Sequence, residues 1–93
     1  MAFMRRLKLE ELQERARVLT YETLKDFEIP DGLETRIILE IGFDGDDRIF
    51  ELYIPANRPE DAIVISSARL NSFTGEGSVE VFLPKKRPTN QVV

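Results

Sequence analysis

The N-terminal part of the chain carries apolar and small side chains at three- and four-residue intervals, the period of an amphipathic helix. The positions of this stripe are Leu9, Leu12, Ala16, Leu19, Thr23 and Phe27. Glu10 and Glu11 follow the first of them, where the helix dipole favours acidic side chains. Pro30 and Gly32 then interrupt the pattern, since proline disfavours helical geometry in the residue before it. The spacing predicts one helix over residues 9–27 whose stripe faces a core. Val18 and Leu24 fall off the stripe, so the apolar face is either broad or drifts along the helix.

From Glu34 onward the period shortens to two, which is typical of strands with one apolar face. In the first run, Ile37, Leu39, Ile41 and Phe43 alternate with Arg36, Ile38, Glu40 and Gly42. In the second run, Phe50, Leu52 and Ile54 alternate with Ile49, Glu51 and Tyr53. The two runs predict adjacent strands over residues 34–43 and 48–55.

Asp44-Gly45-Asp46-Asp47 separates these runs and has the composition of a tight hairpin turn. With Gly45-Asp46 at the turn centre, every apolar partner lies on one face, and a slip by one residue breaks the match. The predicted pairs are Ile41 with Phe50, Leu39 with Leu52, and Ile37 with Ile54.

Two further strands are predicted, over residues 62–70 and 79–83. In the first, Ile63 and Ile65 favour the core at the start of the strand, and Ala68 and Leu70 favour it at the end. Strict alternation would put these two pairs on opposite faces, and a bulge near Ser66-Ser67 would supply the change of parity. Short connections favour neighbouring strands. We therefore expect an α+β fold with one N-terminal helix packed on a four-stranded antiparallel αββββ meander. Residues 1–84 are expected to form a single domain, and the basic, aperiodic residues 85–93 a disordered tail.

Composition narrows the chemistry that this small domain can perform. The 93 residues are 42% hydrophobic and 32% charged, as in ordinary globular proteins, and they include neither histidine nor cysteine. Catalytic systems that need an imidazole or a thiol are thereby excluded. We expect no enzyme activity, no cofactor and no catalytic residue. No signal peptide or membrane-spanning run is evident, so a cytoplasmic location is expected.

The net charge of −4 is distributed unevenly along the chain. Six of the 13 basic residues lie in residues 1–8 and 85–93, which contain no acid, and residues 9–84 hold the other 7 together with all 17 acidic residues. An acidic body favours a basic protein partner and repels nucleic acid. The overall charge therefore disfavours nucleic acid as a partner, and binding of nucleic acid through the basic ends stays an alternative.

The acidic turn at residues 44–47 suggests a second alternative, a small carboxylate- or metal-dependent enzyme domain, because oxygen ligands suit calcium and magnesium. The match to a calcium-binding loop is weak, since Arg48, Ile49 and Pro55 stand where ligands or glycine are required. We favour a structural hairpin turn and expect no metal. Gly75-Glu76-Gly77 likewise lacks the remainder of any phosphate-binding motif.

The outward face of the predicted sheet is the stronger functional candidate. The register puts Glu40 opposite Glu51, Ile38 opposite Tyr53 and Gly42 opposite Ile49, and Glu80 and Phe82 extend this surface. Like charges directly across a strand pair destabilise a sheet unless a cation such as Arg36 or Arg69 compensates. The face is thus either neutralised within the chain or a docking surface for a basic partner.

These observations lead to one hypothesis for function. We expect a non-catalytic protein-binding module, comparable to a small acidic inhibitor or an antitoxin-like neutraliser of a basic protein. The predicted partner-binding residues are Ile38, Glu40, Ile49, Glu51, Tyr53, Glu80 and Phe82. A homodimer that pairs two such faces is an alternative, with Tyr53 and Phe82 as anchors in both cases.

Overall fold

The structure, a computed structural model, describes residues 5–29 and 36–84 of the chain. It contains α1 (Leu9–Leu24), β1 (Ile38–Asp44), β2 (Asp47–Ile54), β3 (Ile63–Asn71) and β4 (Gly77–Val81). The strands form one antiparallel sheet in the order β1-β2-β3-β4, which confirms the predicted α+β meander. The proposed tail, residues 85–93, and the turn at Pro30 and Gly32 lie outside the described residues.

The helix ends three residues earlier than the apolar spacing predicts. After Leu24 the N–H of Phe27 donates to the carbonyl of Leu24 at 3.0 Å, a tightened final turn. The next N–H, that of Glu28, donates to the carbonyl of Pro84 at 2.9 Å. Backbone pairing with the segment that follows β4 therefore replaces helical hydrogen bonding, and Phe27 leaves the helix.

The β1–β2 hairpin has the predicted register. Leu39 pairs with Leu52 and Ile41 with Phe50, whereas the third expected pair involves Ile37, which lies just before β1. Gly45 has a φ of +60°, and no other turn residue has a positive φ, as in a type II′ turn with glycine at its first central position. The turn matches the twist of the strands, which fixes the pairing along their full length.

The predicted parity change in β3 also occurs. The register shifts between Leu52 and Tyr53, whose partners are Ser66 and Val64, so Ile65 is the extra residue of a bulge. The bulge lies next to the predicted Ser66-Ser67 position. It lets Ile65 be buried at the start of the strand while Ala68 and Leu70 are buried at its end. The expectation for Ile63 is wrong, because this side chain is 53% exposed.

The helix covers only part of the sheet. The main buried cluster is formed by Leu12, Ala16, Phe50, Ala68 and Leu70. α1 packs chiefly on β3 and β4 and less on β2, whereas β1 lies outside its main contact area. Leu39 therefore stays 38% exposed although it lies on the helix side of the sheet. None of the described helical residues forms a segment long and apolar enough to span a bilayer.

Candidate protein-binding face

A row of acidic side chains crosses the side of the sheet that faces away from α1. Glu40 pairs with Glu51, Glu51 with Ser67, and Ser67 with Glu80, one residue from each strand. Directly paired residues point to the same face, and strands are spaced at about 4.8 Å, so the row is about 14 Å long. We call the row of Glu40, Glu51, Ser67 and Glu80 the glutamate row.

Apolar side chains border the glutamate row on both sides. Ile38 pairs with Tyr53 on one side, and Ile49 pairs with Gly42 on the other. Ile38 is exposed, whereas Tyr53 and Ile49 are half-buried. The register thus brings six of the seven predicted residues together on one face.

The seventh predicted residue, Phe82, lies one position past the end of β4. Its N–H donates to the carbonyl of Ile65 at 2.9 Å, so the pairing with β3 continues beyond the strand. Because it follows Glu80 by two residues, strand alternation keeps it on the same face. Its side chain is 53% exposed, which leaves an aromatic surface beside the glutamate row.

Arg69 lies on this face but does not pair with the glutamates. Its Nη1 donates to Asp47 Oδ2 and its Nη2 to Asp44 Oδ2, both at 2.8 Å. The hydrogen bond that Arg69 donates to Asp44, followed by the one that it donates to Asp47, raises the pKa of the guanidinium. Arg69, one of the two cations considered for the glutamates, does not compensate them, because the acidic turn engages this side chain. Within residues 5–29 and 36–84 the other cation, Arg36, forms no ion pair. Among the described residues, no ion pair involves Glu40, Glu51 or Glu80.

The acidic turn also binds the segment before α1 and the segment after β3. Asp46 Oδ1 accepts from Arg6 Nη2 at 2.7 Å, and its backbone carbonyl accepts from the N–H of Ser72 at 2.8 Å. The Arg6 guanidinium also lies 4.8 Å from the centre of the Phe73 ring. The three carboxylates of the turn are thus shared between two arginines. Within the described ranges, no group of three or more acidic side chains is arranged to hold a metal ion.

The glycine-containing segment before β4 has a packing role. A Cβ built on Gly77 would lie 1.9 Å from the carbonyl oxygen of Arg69, which no side chain tolerates. Glycine here permits the close approach of β4 to β3. This accounts for Gly77 without a bound phosphate.

A groove that the sequence pattern did not predict lies on the other face, between α1 and the β1–β2 hairpin. Its volume is about 490 Å³, and Leu39, Phe50 and Leu52 form its apolar floor. Tyr21, which is 62% exposed, stands on the helix side of the opening. The signal was available in Leu24, an apolar residue that falls outside the main stripe of the helix and lines this groove.

Glu14 and Arg17 also line the groove, on the helix side. Arg17 Nε donates to Glu14 Oε2 at 2.9 Å, and this hydrogen bond lowers the pKa of the Glu14 carboxyl. Both side chains are more than half exposed, so solvent screens the pair. The rim is therefore polar and internally paired, in contrast to the glutamate row.

The fold and the site define a two-layer α+β domain with one helix and an exposed acidic and apolar sheet face. Comparisons with protein-family models, with curated proteins and with solved structures find no significant match to this chain.

Proposed function

We propose that this chain is a non-catalytic protein-binding module whose open sheet face binds a basic protein, in the manner of a small acidic inhibitor or antitoxin-like neutraliser. The observation that carries the proposal is the glutamate row, in which Glu40 and Glu51 face each other directly across two strands. A cytoplasmic site of action is part of the proposal, since a chain without cysteine suits a reducing compartment.

The glutamate row favours a cationic partner on energetic grounds. Two carboxylates directly opposite each other destabilise a strand pair. A lysine or arginine of a partner placed between Glu40 and Glu51 would relieve this repulsion and gain from both charges. The excess of acidic residues in the body of the chain would also accelerate the encounter with a basic protein.

The apolar border supplies the second component of binding. Aromatic residues commonly dominate the energetics of protein interfaces, and Tyr53 and Phe82 are the aromatic side chains assigned to this face. A homodimer that stacked two such faces would bring the Glu40 and Glu51 carboxylates of both copies together. A basic heterologous partner is therefore the better fit to this face.

The two alternatives receive less support from the contacts. A metal-dependent reaction would use Asp44, Asp46 and Asp47, whose carboxylates are bonded to arginines. Nucleic-acid contact would use the basic ends, of which Arg6 is bonded to Asp46. Lys85, Lys86 and Arg87 lie outside the described residues. Titration with magnesium and calcium, followed through the amide signals of residues 44–47, tests the first alternative, and salt-dependent binding to DNA tests the second.

The decisive experiment uses an amphipathic helical peptide of lysine and leucine as the basic probe. Its binding is monitored through the amide chemical shifts of the protein. We expect the largest shifts along the glutamate row and its apolar border. The variant Glu40→Gln/Glu51→Gln/Glu80→Gln should bind the peptide more weakly, on the order of tenfold, because three charge contacts are lost.

The matched control is Glu22→Gln/Glu60→Gln/Glu76→Gln, which changes the net charge equally but at exposed positions away from the face. It should bind almost as the parent does. If both triple variants lose the same affinity, attraction depends only on net charge and the proposal fails.

The aromatic component is tested with Tyr53→Ala/Phe82→Ala. We expect a folded protein, checked by circular dichroism, that binds the peptide more weakly. Unchanged binding would remove these side chains from the interface, and unfolding would show that they belong to the core.

A further inference from the structure

The two edges of the sheet differ in how they are protected. β4 is five residues long, and the segment after it accepts a hydrogen bond from the Glu28 N–H through the Pro84 carbonyl. β1 is seven residues long, Ile-Leu-Glu-Ile-Gly-Phe-Asp, without proline, lysine or a bulge. In the part of the chain that the structure describes, no strand pairs with its outer edge. Natural proteins rarely leave an edge of this kind free, because it presents unpaired backbone groups to other chains.

The side chains of β1 are also unusually exposed for an apolar strand. On the helix side, Leu39 is 38% and Phe43 66% exposed, and on the open face Ile38 is 43% exposed. None of the seven residues of β1 is buried. Pairing at this edge would thus cover apolar surface on both faces and satisfy backbone hydrogen bonds at the same time.

We propose that β1 pairs with β1 of a second copy of this chain, antiparallel and centred on Ile41. Two-fold symmetry with antiparallel strands requires an axis perpendicular to the sheet, so residues of the same face meet. Centred on Ile41, all seven residues of β1 are paired. The pairs are Ile38 with Asp44, Leu39 with Phe43, Glu40 with Gly42, and Ile41 with its own copy.

The charges of β1 select this register over its neighbours. A centre at Glu40 would put the Glu40 side chains of the two copies directly opposite each other. A centre at Gly42 would put Glu40 opposite Asp44 of the second copy. Both arrangements oppose like charges, which destabilises a strand pair. With the centre at Ile41, Glu40 faces a glycine, and the nearest like charges are diagonal, about 7–8 Å away.

The same register brings together the apolar residues that the single chain leaves exposed. Leu39 of each copy lies against Phe43 of the other, on the helix side of an eight-stranded sheet. The two helices lie on the same side, with the grooves beside them facing each other across the paired β1 strands. The open faces remain together on the opposite side, so this dimer is independent of the proposed function and compatible with it.

Single cysteines test the register, because the natural chain contains none. Only a residue at the centre of a symmetric strand pair faces its own copy, and paired Cα atoms about 4.5–5.5 Å apart lie within the range of a disulfide. The variants are Glu40→Cys, Ile41→Cys and Gly42→Cys, one for each of the three centres compared above. Glu60→Cys, at an exposed position outside the four strands, measures random collision.

Under mild oxidation at micromolar protein, Ile41→Cys should form disulfide-linked dimers on the order of tenfold faster than Glu60→Cys, because pairing raises the effective concentration. Faster linkage at Glu40→Cys or Gly42→Cys would overturn the register. Rates at all three positions equal to that of Glu60→Cys would overturn the dimer itself.

Sedimentation equilibrium provides a measurement that does not need a new cysteine. The parent should show a concentration-dependent monomer–dimer equilibrium, and Phe43→Lys, at an exposed position, should shift it to monomer without unfolding. A parent that remains monomeric at all accessible concentrations contradicts the proposal, whatever the peptide titration shows.

Gly42→Lys separates the register from general edge protection. A Cβ on Gly42 meets Ile49 at an ordinary 3.8 Å, so the substitution fits the fold. In the proposed register this lysine lies opposite Glu40 of the second copy. By symmetry, one such pair lies on each side of the two-fold axis. We expect dimerisation about two- to tenfold tighter. A weaker dimer would show that Gly42 does not face Glu40.

Discussion

The two halves of the sheet have the same apolar alternation and very different environments. On the helix side of the β3–β4 half, Ala68 and Leu70 are completely buried under α1. On the same side of the β1–β2 half, Leu39 is 38% exposed and an open groove lies above it. Alternation of apolar residues therefore specifies which face is turned to the helix layer, and not which strands the helix covers.

Side-chain size accounts for the position of the helix. Ala16 of α1 and Ala68 of β3 belong to the same buried cluster, and Ser66, two residues before Ala68 on β3, is also buried. Small side chains on both layers permit a close approach of the two backbones. Leu39 and Ile41 of β1 are larger, and a helix centred over them would have to stand further from the sheet. The helix therefore settles over the half in which it can pack most closely.

Truncation of one leucine in each half is expected to give the largest difference. Leu70→Ala should lower the free energy of unfolding by about 2–5 kcal/mol, because it leaves a cavity in a closed core. Leu39→Ala should cost about 1 kcal/mol or less, since much of its side chain is already hydrated. Urea unfolding, at a protein concentration where sedimentation shows only monomer, measures both. Equal losses would contradict the contrast between the halves.

Two buried serines sharpen the comparison within the covered half. Ser66 Oγ, opposite Leu52, has no hydrogen-bond partner among the described residues, whereas Ser72 Oγ accepts from Arg6 Nε at 3.3 Å. Ser72→Ala should lose about 1 kcal/mol, and Ser66→Ala should be neutral or stabilising by up to about 1 kcal/mol, because a buried unpaired hydroxyl is costly. Thermal unfolding of the two variants measures the difference. A loss at Ser66 equal to that at Ser72 would indicate that its hydroxyl has a partner.

The Glu14–Arg17 pair at the rim of the groove should make a smaller contribution to stability, and this contribution depends on pH. The hydrogen bond from Arg17 lowers the pKa of Glu14 in the folded chain. A lowered folded pKa means that the contribution of this pair to stability is complete above the ordinary glutamate pKa and is lost as the pH falls through the lower folded value. The carboxyl carbon shift of Glu14 should therefore titrate below the usual range in the parent. It should return to that range in Arg17→Gln and stay lowered in the control Lys25→Gln.

The smallest effect on stability is expected from removing the residues that follow Pro84. Pro84 is held by the N–H of Glu28, whereas residues 85–93 carry no apolar period that would dock them. Deleting residues 85–93 should leave the midpoint of thermal unfolding unchanged. A fall of several degrees would show that the tail contributes to the fold.

Local chemistry explains why much of the fold was predictable. The Gly45-Asp46 turn fixed the hairpin register, and the register in turn placed Glu40 opposite Glu51. The parity change in β3 identified the bulge to within a residue or two of Ile65. Helix termination was less predictable, because the pairing of Glu28 with Pro84 joins segments more than fifty residues apart in the chain.

The sequence by itself determined the element order, the register of the hairpin and the acidic, apolar character of the open face. These follow from period, turn chemistry and alternation, which act between residues close in the chain. Only the tertiary structure decided that Arg69 would bind Asp44 and Asp47 in place of the glutamate row, and that α1 would leave the β1–β2 half uncovered. The physical reason is that a guanidinium can reach several carboxylates and a helix can pack over either half. Distances and side-chain volumes across the assembled sheet select among these options.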